Sequence, residues 1–236
     1  MISVLMATFN GEAFVVEAIE SVLGQRGVQL ELVVTDDGST DATASLVSTL
    51  ARGDPRIRFA VQPHAGVAAS RNACLARARG GYLALLDQDD RCPDGKLARQ
   101  LARLDSSPGV GAVFGHTQMF GHTQMFGSAG EPAPGYTMLL SAALLRRETV
   151  EAVGEFDPDC ASADDFDFLL RMIEQGHRLE LESGLGVYHR RHRNQVSADL
   201  EATRRDCVRA LARSLQRRRR SGTGGLLDHP LVAGAV

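Results

Sequence analysis

Leu30-Glu31-Leu32-Val33-Val34-Thr35-Asp36-Asp37-Gly38-Ser39-Thr40-Asp41 is an apolar run that stops in a cluster of carboxylates. The same design returns further on, at Tyr82-Leu83-Ala84-Leu85-Leu86-Asp87-Gln88-Asp89-Asp90. A short apolar run bounded by turn-forming residues reads as a buried strand. Carboxylates gathered at one sheet edge repel one another, so such an edge makes sense if it holds hydroxyls, imide groups or a divalent cation. In open α/β sheets the carboxyl edge of the strands is where ligands bind.

Working outward from these two runs, strands alternate with amphipathic helices. Residues 2–6 read as a strand, and residues 12–25 as a helix with Phe14, Val15, Ala18, Ile19 and Val22 on one face. After the strand at 30–35, Ser39 or Thr40 is expected to cap a helix running to about residue 51. Residues 57–61 follow as a strand, 66–78 as a helix that Gly80-Gly81 ends, and 82–86 as a strand. Pro93 is expected to open the next helix, ending near Ser106. This alternation predicts an α/β fold with a mainly parallel, right-handed sheet flanked by helices. The second half is less regular. It reads as a strand at 110–119, helices at 146–152 and 164–175, strands at 178–182 and 186–191, and an arginine-rich helix at 199–219. The Gly-rich tail from Ser221 is expected to be mobile.

Composition narrows the function. A chain of 236 residues suits one large α/β domain. The net charge of -3 gives no bulk argument for nucleic acid or membrane, and the absence of Trp argues against a base-stacking nucleic-acid platform. Cys74, Cys92, Cys160 and Cys207 form no C-x-x-C pair, so a structural zinc site is not expected and a reducing, cytoplasmic compartment is. No signal peptide or membrane-spanning stretch is expected. A perfect tandem repeat, Gly115-His116-Thr117-Gln118-Met119-Phe120 followed by Gly121-His122-Thr123-Gln124-Met125-Phe126, reads as a local duplication in a strand-to-loop connection, with an acceptor-side loop as the functional alternative.

Six motifs fall in register: Ala7-Thr8-Phe9-Asn10, Asp36 to Asp41, Gly66-Val67-Ala68-Ala69-Ser70-Arg71-Asn72, Asp87-Gln88-Asp89-Asp90, Asp164-Asp165-Phe166-Asp167, and Tyr188-His189-Arg190-Arg191-His192. In these the chain resembles the inverting GT-A glycosyltransferases of family 2, over about residues 2–200. The resemblance implies a GT-A fold. Residues 1–109 would be the nucleotide-sugar-binding half, 110–200 the acceptor-binding and catalytic-base half of the same domain, and 201–236 a C-terminal helix and tail. It implies a metal-dependent enzyme that moves a sugar from a nucleotide-diphosphate donor, a UDP-sugar by default, to an acceptor hydroxyl of unspecified kind.

Each motif also has a physical reading. Asp37 at a strand end could accept from the imide N–H of uracil, and by resemblance it contacts the base; Asp36, Asp37 and Ser39 equally suit a turn and helix cap. Thr8, Phe9 and Asn10 belong to the nucleotide by resemblance, with Phe9 on the base, although Ala7 stands where the family often has Pro. Asp87 and Asp89 are two apart and in an extended segment face one side. A hard divalent ion, Mn²⁺ or Mg²⁺, takes such oxygens and shares its shell with phosphates; a solvated acidic loop is the alternative. The resemblance makes Asp89 the metal ligand, puts Asp87 on metal or ribose and leaves Asp90 supporting the loop. Arg71 could grip phosphate or base, or make an ion pair.

Inverting transfer needs one carboxylate to take the acceptor proton, and Asp165 matches the family's base. Asp164 stands where the family usually has Glu, and both aspartates also suit the positive end of a helix. His192 is the candidate nucleotide contact in the basic segment, where a solvated strand is the alternative. Arg217-Arg218-Arg219-Arg220 reads as a solvated face, with weak peripheral contact to anionic lipid at the inner membrane face as the alternative. The apolar side of that helix, with Val208, Leu211, Ala212 and Leu215, is expected to pack on the domain or a partner. A sugar nucleotidyltransferase or an oxidoreductase would want a Gly-rich phosphate loop after the first strand, which Asn10-Gly11-Glu12 does not supply. An inactive nucleotide-sugar or glycan-binding module is the non-enzyme alternative.

Overall fold

A computed structural model describes residues 1–121, 139–160, 162–192, 195 and 199–221. The second repeat copy from residue 122, Arg193 and the tail from residue 222 lie outside the described residues. In chain order the elements are β1 (Ile2–Thr8), α1 (Val15–Leu23), β2 (Leu30–Asp36), α2 (Thr43–Gly53), β3 (Ile57–Val61), α3 (Val67–Arg77), β4 (Tyr82–Leu85), α4 (Lys96–Ser106), β5 (Val110–Gly121), β6 (Ala143–Arg146), α5 (Arg147–Val153), α6 (Asp164–Glu174), β7 (Arg178–Arg191) and α7 (Leu200–Ser221). The strands form one seven-stranded sheet in the order β3-β2-β1-β4-β6-β5-β7. β1 runs parallel to β2 and β4, β2 to β3, and β5 to β7; β6 is antiparallel to both β4 and β5. Six strands therefore point the same way, and their carboxyl ends share one edge.

The central strands are apolar on both faces because both faces are covered. From β1, Val4 and Met6 join a cluster with Val15, Ile19 and Val22 of α1 and Leu97 and Leu104 of α4. Leu5, between them, joins the opposite cluster with Ala68 and Cys74 of α3 and Phe168 and Met172 of α6. This is the period-two alternation of a strand buried between two helical layers.

Three local expectations are corrected, and one strand was missed. Ser39 and Thr40 do not cap α2: Ser39 bonds Asp36 and Thr40 bonds Asn10, while Asp41 takes the N–H of Thr43 at 2.9 Å. Pro93 lies in a turn before α4, accepting from the Lys96 N–H across a left-handed Gly95 (φ 70). The strands expected at 178–182 and 186–191 are one strand, β7, whose register against β5 slips around His116. β6 was not legible: four residues are too few to show a period.

On α7 the side that packs on the domain is not the expected one. Ala210 and Ser214 are buried, whereas Val208, Leu211 and Leu215 are exposed. Arginines rather than leucines tie α7 down. Arg217 bonds Asp167 and Glu174 on α6, and Arg213 bonds Asp157 and Asp159. Among the described residues no helix is long and apolar enough to cross a membrane.

Candidate active site

The strand order reverses between β1 and β4, which opens a crevice at the carboxyl edge. Two loops clamp across it. The Phe9 N–H donates to Gln88 Oε1 and Gln88 Nε2 donates to the Phe9 carbonyl, each at 2.9 Å. Gly11 lies so close to Gln88 that a Cβ there would sit 2.2 Å from Oε1. The Phe9 ring is left 39% exposed.

Behind this clamp the first acidic cluster is a scaffold. Buried Asp36 accepts from the Thr8 hydroxyl (3.0 Å) and from the Ser39 N–H and hydroxyl (2.9 and 2.6 Å). Ser39 in turn accepts from the Asn10 N–H, and the Asn10 carboxamide oxygen accepts from the Thr40 N–H. Asn10 takes a left-handed φ of 47°, a conformation its short polar side chain tolerates. The side chains of Thr8 and Asn10 thus hold the loops in place.

Asp37 is 3% exposed and anchors the β3–α3 loop. Its Oδ1 accepts from Gln62 Nε2 (2.7 Å) and the Ala65 N–H (2.9 Å), and its Oδ2 from the Gly66 N–H (2.8 Å). His64 Nδ1 stands 2.7 Å from Oδ2. Burial pushes the Asp37 carboxyl up, but the Ala65, Gln62 and Gly66 hydrogen bonds outweigh it and hold it below the usual carboxylate range. Gly66 turns the chain into α3 at φ +92, where a side chain would be strained.

The second acidic cluster is zipped to the end of β7. Buried Asp90 accepts from the Arg190 N–H (2.8 Å) and pairs with His189 Nδ1 (3.1 Å). Burial pushes Asp90 up to about 6, while Asp90 raises His189 against its own burial. Arg190 also donates to the Asp89 carbonyl and pairs with Glu17. This zipper brings His192 Nε2 to 2.7 Å from Asp89 Oδ2, with the His192 ring packed on Phe14 at 4.8 Å between centroids.

Arg71 joins the two halves of the site. Its guanidinium reaches Asp87 Oδ1 with one nitrogen and Asp164 Oδ2 with the other, both at 2.7 Å. Of the two readings the ion pair describes this residue, as a buried strut and not a surface pair, with both forks occupied. Burial works against its charge, but Asp164 and Asp87 keep it firmly protonated. Burial pushes Asp164 up to about 6 against the pull of Arg71. Asp165, beside it in the first turn of α6, is also raised, by burial first and by the charge of Asp87, with Arg71 opposing.

A divalent ion fits part of this edge. Asp89 and His192 offer an oxygen and a nitrogen within one hydrogen-bond length, a donor pair better suited to Mn²⁺ than to Mg²⁺. Among the described residues no group of three or more His, Cys, Asp or Glu could hold a metal alone, so such an ion would complete its shell from phosphate oxygens and water. His64, Gln62 and Gln88 carry the geometry of the edge and were not picked out from sequence. Gln88 stood in plain sight inside the second acidic motif, but nothing local announced its partner.

Residues 3–162, more than half of the chain, match the family model for Glycosyl transferase family 2. An uncharacterized protein, MT1568, of Mycobacterium tuberculosis is 30% identical over 271 residues, covering 100% of this chain and 78% of its own length. The succinoglycan biosynthesis protein ExoO of Rhizobium meliloti is 40% identical over 107 residues, which is 45% of this chain and 30% of that protein. Among solved structures, the mannosyltransferase PcManGT from Pyrobaculum calidifontis, in complex with GDP-Man and Mn2+, superposes with a TM-score of 0.71 at 22% identity, over 91% of this chain and 64% of that one. S. aureus TarS 1–349 in complex with UDP-GlcNAc gives 0.68 at 19%, over 84% and 60%. On its sequence and on its sheet, this chain belongs to glycosyl transferase family 2 and has the GT-A fold.

Proposed function

We propose that this glycosyltransferase is metal-dependent and inverting, and that it transfers a sugar from a nucleotide-diphosphate donor, a UDP-sugar first, to an acceptor hydroxyl. The observation that carries the reading is the convergence at one sheet edge of Phe9 and Asp37, the Asp87–Asp89 loop with His192, and Asp165, with Arg71 bridging Asp87 to Asp164. Phe9 and Asp37 receive the base, with Thr8 and Asn10 holding the loop that carries Phe9. Asp89 and His192 hold the metal, and Asp87 lies toward the ribose or metal. A divalent ion bound there supplies positive charge to offset what develops on the leaving diphosphate.

Asp165 takes the proton of the acceptor hydroxyl as that oxygen attacks the anomeric carbon. Its raised affinity for protons suits a base that must accept one near neutral pH. Arg71, fixed between Asp87 and Asp164, sets the distance between the donor loop and the base. The acceptor would enter on the side of α6. The four free cysteines, three of them buried, suit a reducing compartment, and the reading keeps the cytoplasmic placement. Contact of α7 with an anionic membrane surface remains a weaker element of the proposal, supported by exposed Leu211 and Leu215 beside Arg219 and Arg220.

The test is nucleoside diphosphate release from a panel of UDP-, GDP- and dTDP-sugars with Mn²⁺, in the protein and in Asp165→Asn. The variant should keep nucleotide affinity and lose about 10²–10⁴-fold in turnover. Turnover unchanged in Asp165→Asn would remove the base assignment, and a product that retains the donor's anomeric configuration would remove the inverting mechanism.

A further inference from the structure

His64 is the residue of this edge to which the donor reading gives no task. It sits between Gln62 and Gly66 in the loop that Asp37 anchors, and 60% of its side chain is exposed. Its ring nevertheless lies on Phe9, with centroids 4.3 Å apart and planes 27° apart. Its Nδ1 is 2.7 Å from Asp37 Oδ2. The hydrogen bond of that nitrogen goes to the Asp37 backbone carbonyl at 3.2 Å, while the carboxylate itself accepts from Gln62, Ala65 and Gly66.

These are the two places a pyrimidine would occupy: a flat face on an exposed aromatic ring, and a ring nitrogen against the buried Asp37. We propose that His64 is a built-in stand-in for the nucleobase, filling the Phe9–Asp37 slot in the free protein and leaving it when the donor binds. The proposal rests on the reading of this edge as the donor site. Of the groups around Asp37, His64 is the one that can leave. Ala65 and Gly66 donate from the backbone at the start of α3, and Gln62 Nε2 is also held by the Ser70 hydroxyl at 3.1 Å. His64 swings on its own side-chain bonds with water on its outer side.

Two consequences follow from displacement. The slot is open for only part of the time, so apparent nucleotide affinity is lowered by the fraction of molecules in which His64 is out. The base that replaces His64 brings its pairing edge to the Asp37 carboxylate, an acceptor that favours a ring N–H and repels a second acceptor. Uracil, thymine and guanine carry a ring N–H on their pairing edge, whereas cytosine and adenine present a ring-nitrogen acceptor there. Selectivity at the slot therefore comes from Asp37, and His64 acts as its plug.

The experiment is calorimetric titration of the full chain and of His64→Ala with UDP, GDP, dTDP and CDP, and with pyrophosphate as the base-free probe, all with Mn²⁺. His64→Ala should bind its preferred nucleotide about 3- to 10-fold more tightly, with pyrophosphate affinity unchanged. Nucleotide affinity that is unchanged or weaker in His64→Ala, while the parent protein binds, overturns the proposal and leaves the donor reading standing. Failure of every nucleotide to bind either folded protein overturns both. A histidine-labelled NMR titration gives an independent reading. Addition of UDP and Mn²⁺ should move the His64 ring signals toward those of a free imidazole, and static signals at saturating nucleotide would contradict displacement.

Discussion

Arg71 shows how a single side chain sets the chemistry of this edge. It spends its two forks on Asp87 and Asp164, residues that arrive from β4 and α6. A lysine keeps the charge but cannot reach two carboxylates in fixed directions. Arg71→Lys is expected to lower turnover about 10- to 100-fold, as for other residues that orient a site from behind, with pyrophosphate binding changed less than turnover. Equal losses in both would mean that Arg71 grips the diphosphate after all. Arg71→Met goes further, because it leaves Asp164 buried without its partner. It should cost about 3 kcal/mol or more of stability at neutral pH and less at pH 5, where Asp164 can be protonated. Urea unfolding at the two pH values checks this.

Among the elements, α6 and α7 depend on a carboxylate that the chemistry does not use. Asp167 is 1% exposed and accepts from Arg171 on its own helix (2.8 Å) and from Arg217 on α7 (3.3 Å). Arg171 also reaches the Val153 carbonyl at the end of α5. Asp167→Ala takes one partner from each of two guanidinium groups, which keep Glu174 and the Val153 carbonyl, and should destabilise the fold by about 2 kcal/mol, with nucleotide affinity unaltered. Loss of nucleotide binding in a folded Asp167→Ala protein would show that Asp167 belongs to the site. β7 plays a different part. Its far end carries His189, Arg190 and His192 onto the Asp87–Asp90 loop, so the longest strand delivers the last residues of the site.

At the scale of the whole molecule the buried carboxylates set the pH response. Asp90 and Asp164 titrate at about 6 in the folded chain, above the ~3.9 of an exposed aspartate. A folded-state value raised in this way contributes stability that is present below the unfolded value and lost as pH rises through the folded one. His189, also raised, acts in the same direction. Asp37 and Glu31 are lowered, so their contribution holds above the ordinary carboxylate range and is lost as pH falls below it. The melting temperature in the absence of metal should therefore be highest at about pH 4 to 4.5, fall most steeply between about pH 4.5 and 6.5 as Asp90 and Asp164 ionise, and decline further toward about pH 8 with His189. A melting temperature still climbing between pH 6 and 8 would contradict these assignments.

What was legible in the chain follows the range of the forces involved. The acidic strand ends and the parallel alternation are local periodic signals, and they brought Asp37, Asp87 and Asp89 to one edge. Residues whose role is made by distant partners were not legible in the same way. Arg71 meets Asp164 across 93 positions and His192 meets Asp89 across 103. The first read as a grip on phosphate or base or as an ion pair, and the second as the nucleotide contact within a basic strand. His64 left no pattern at all, because its stack on Phe9 exists only once β1, β2 and β3 lie side by side.

Calorimetric titration with UDP, GDP and dTDP, each with and without Mn²⁺, asks whether this carboxyl edge is a metal-assisted nucleotide-diphosphate site. One nucleotide, UDP first, should bind, more tightly with Mn²⁺ and not in Asp89→Ala. A folded protein that binds none of the three, or binds equally well without metal and in Asp89→Ala, would contradict it.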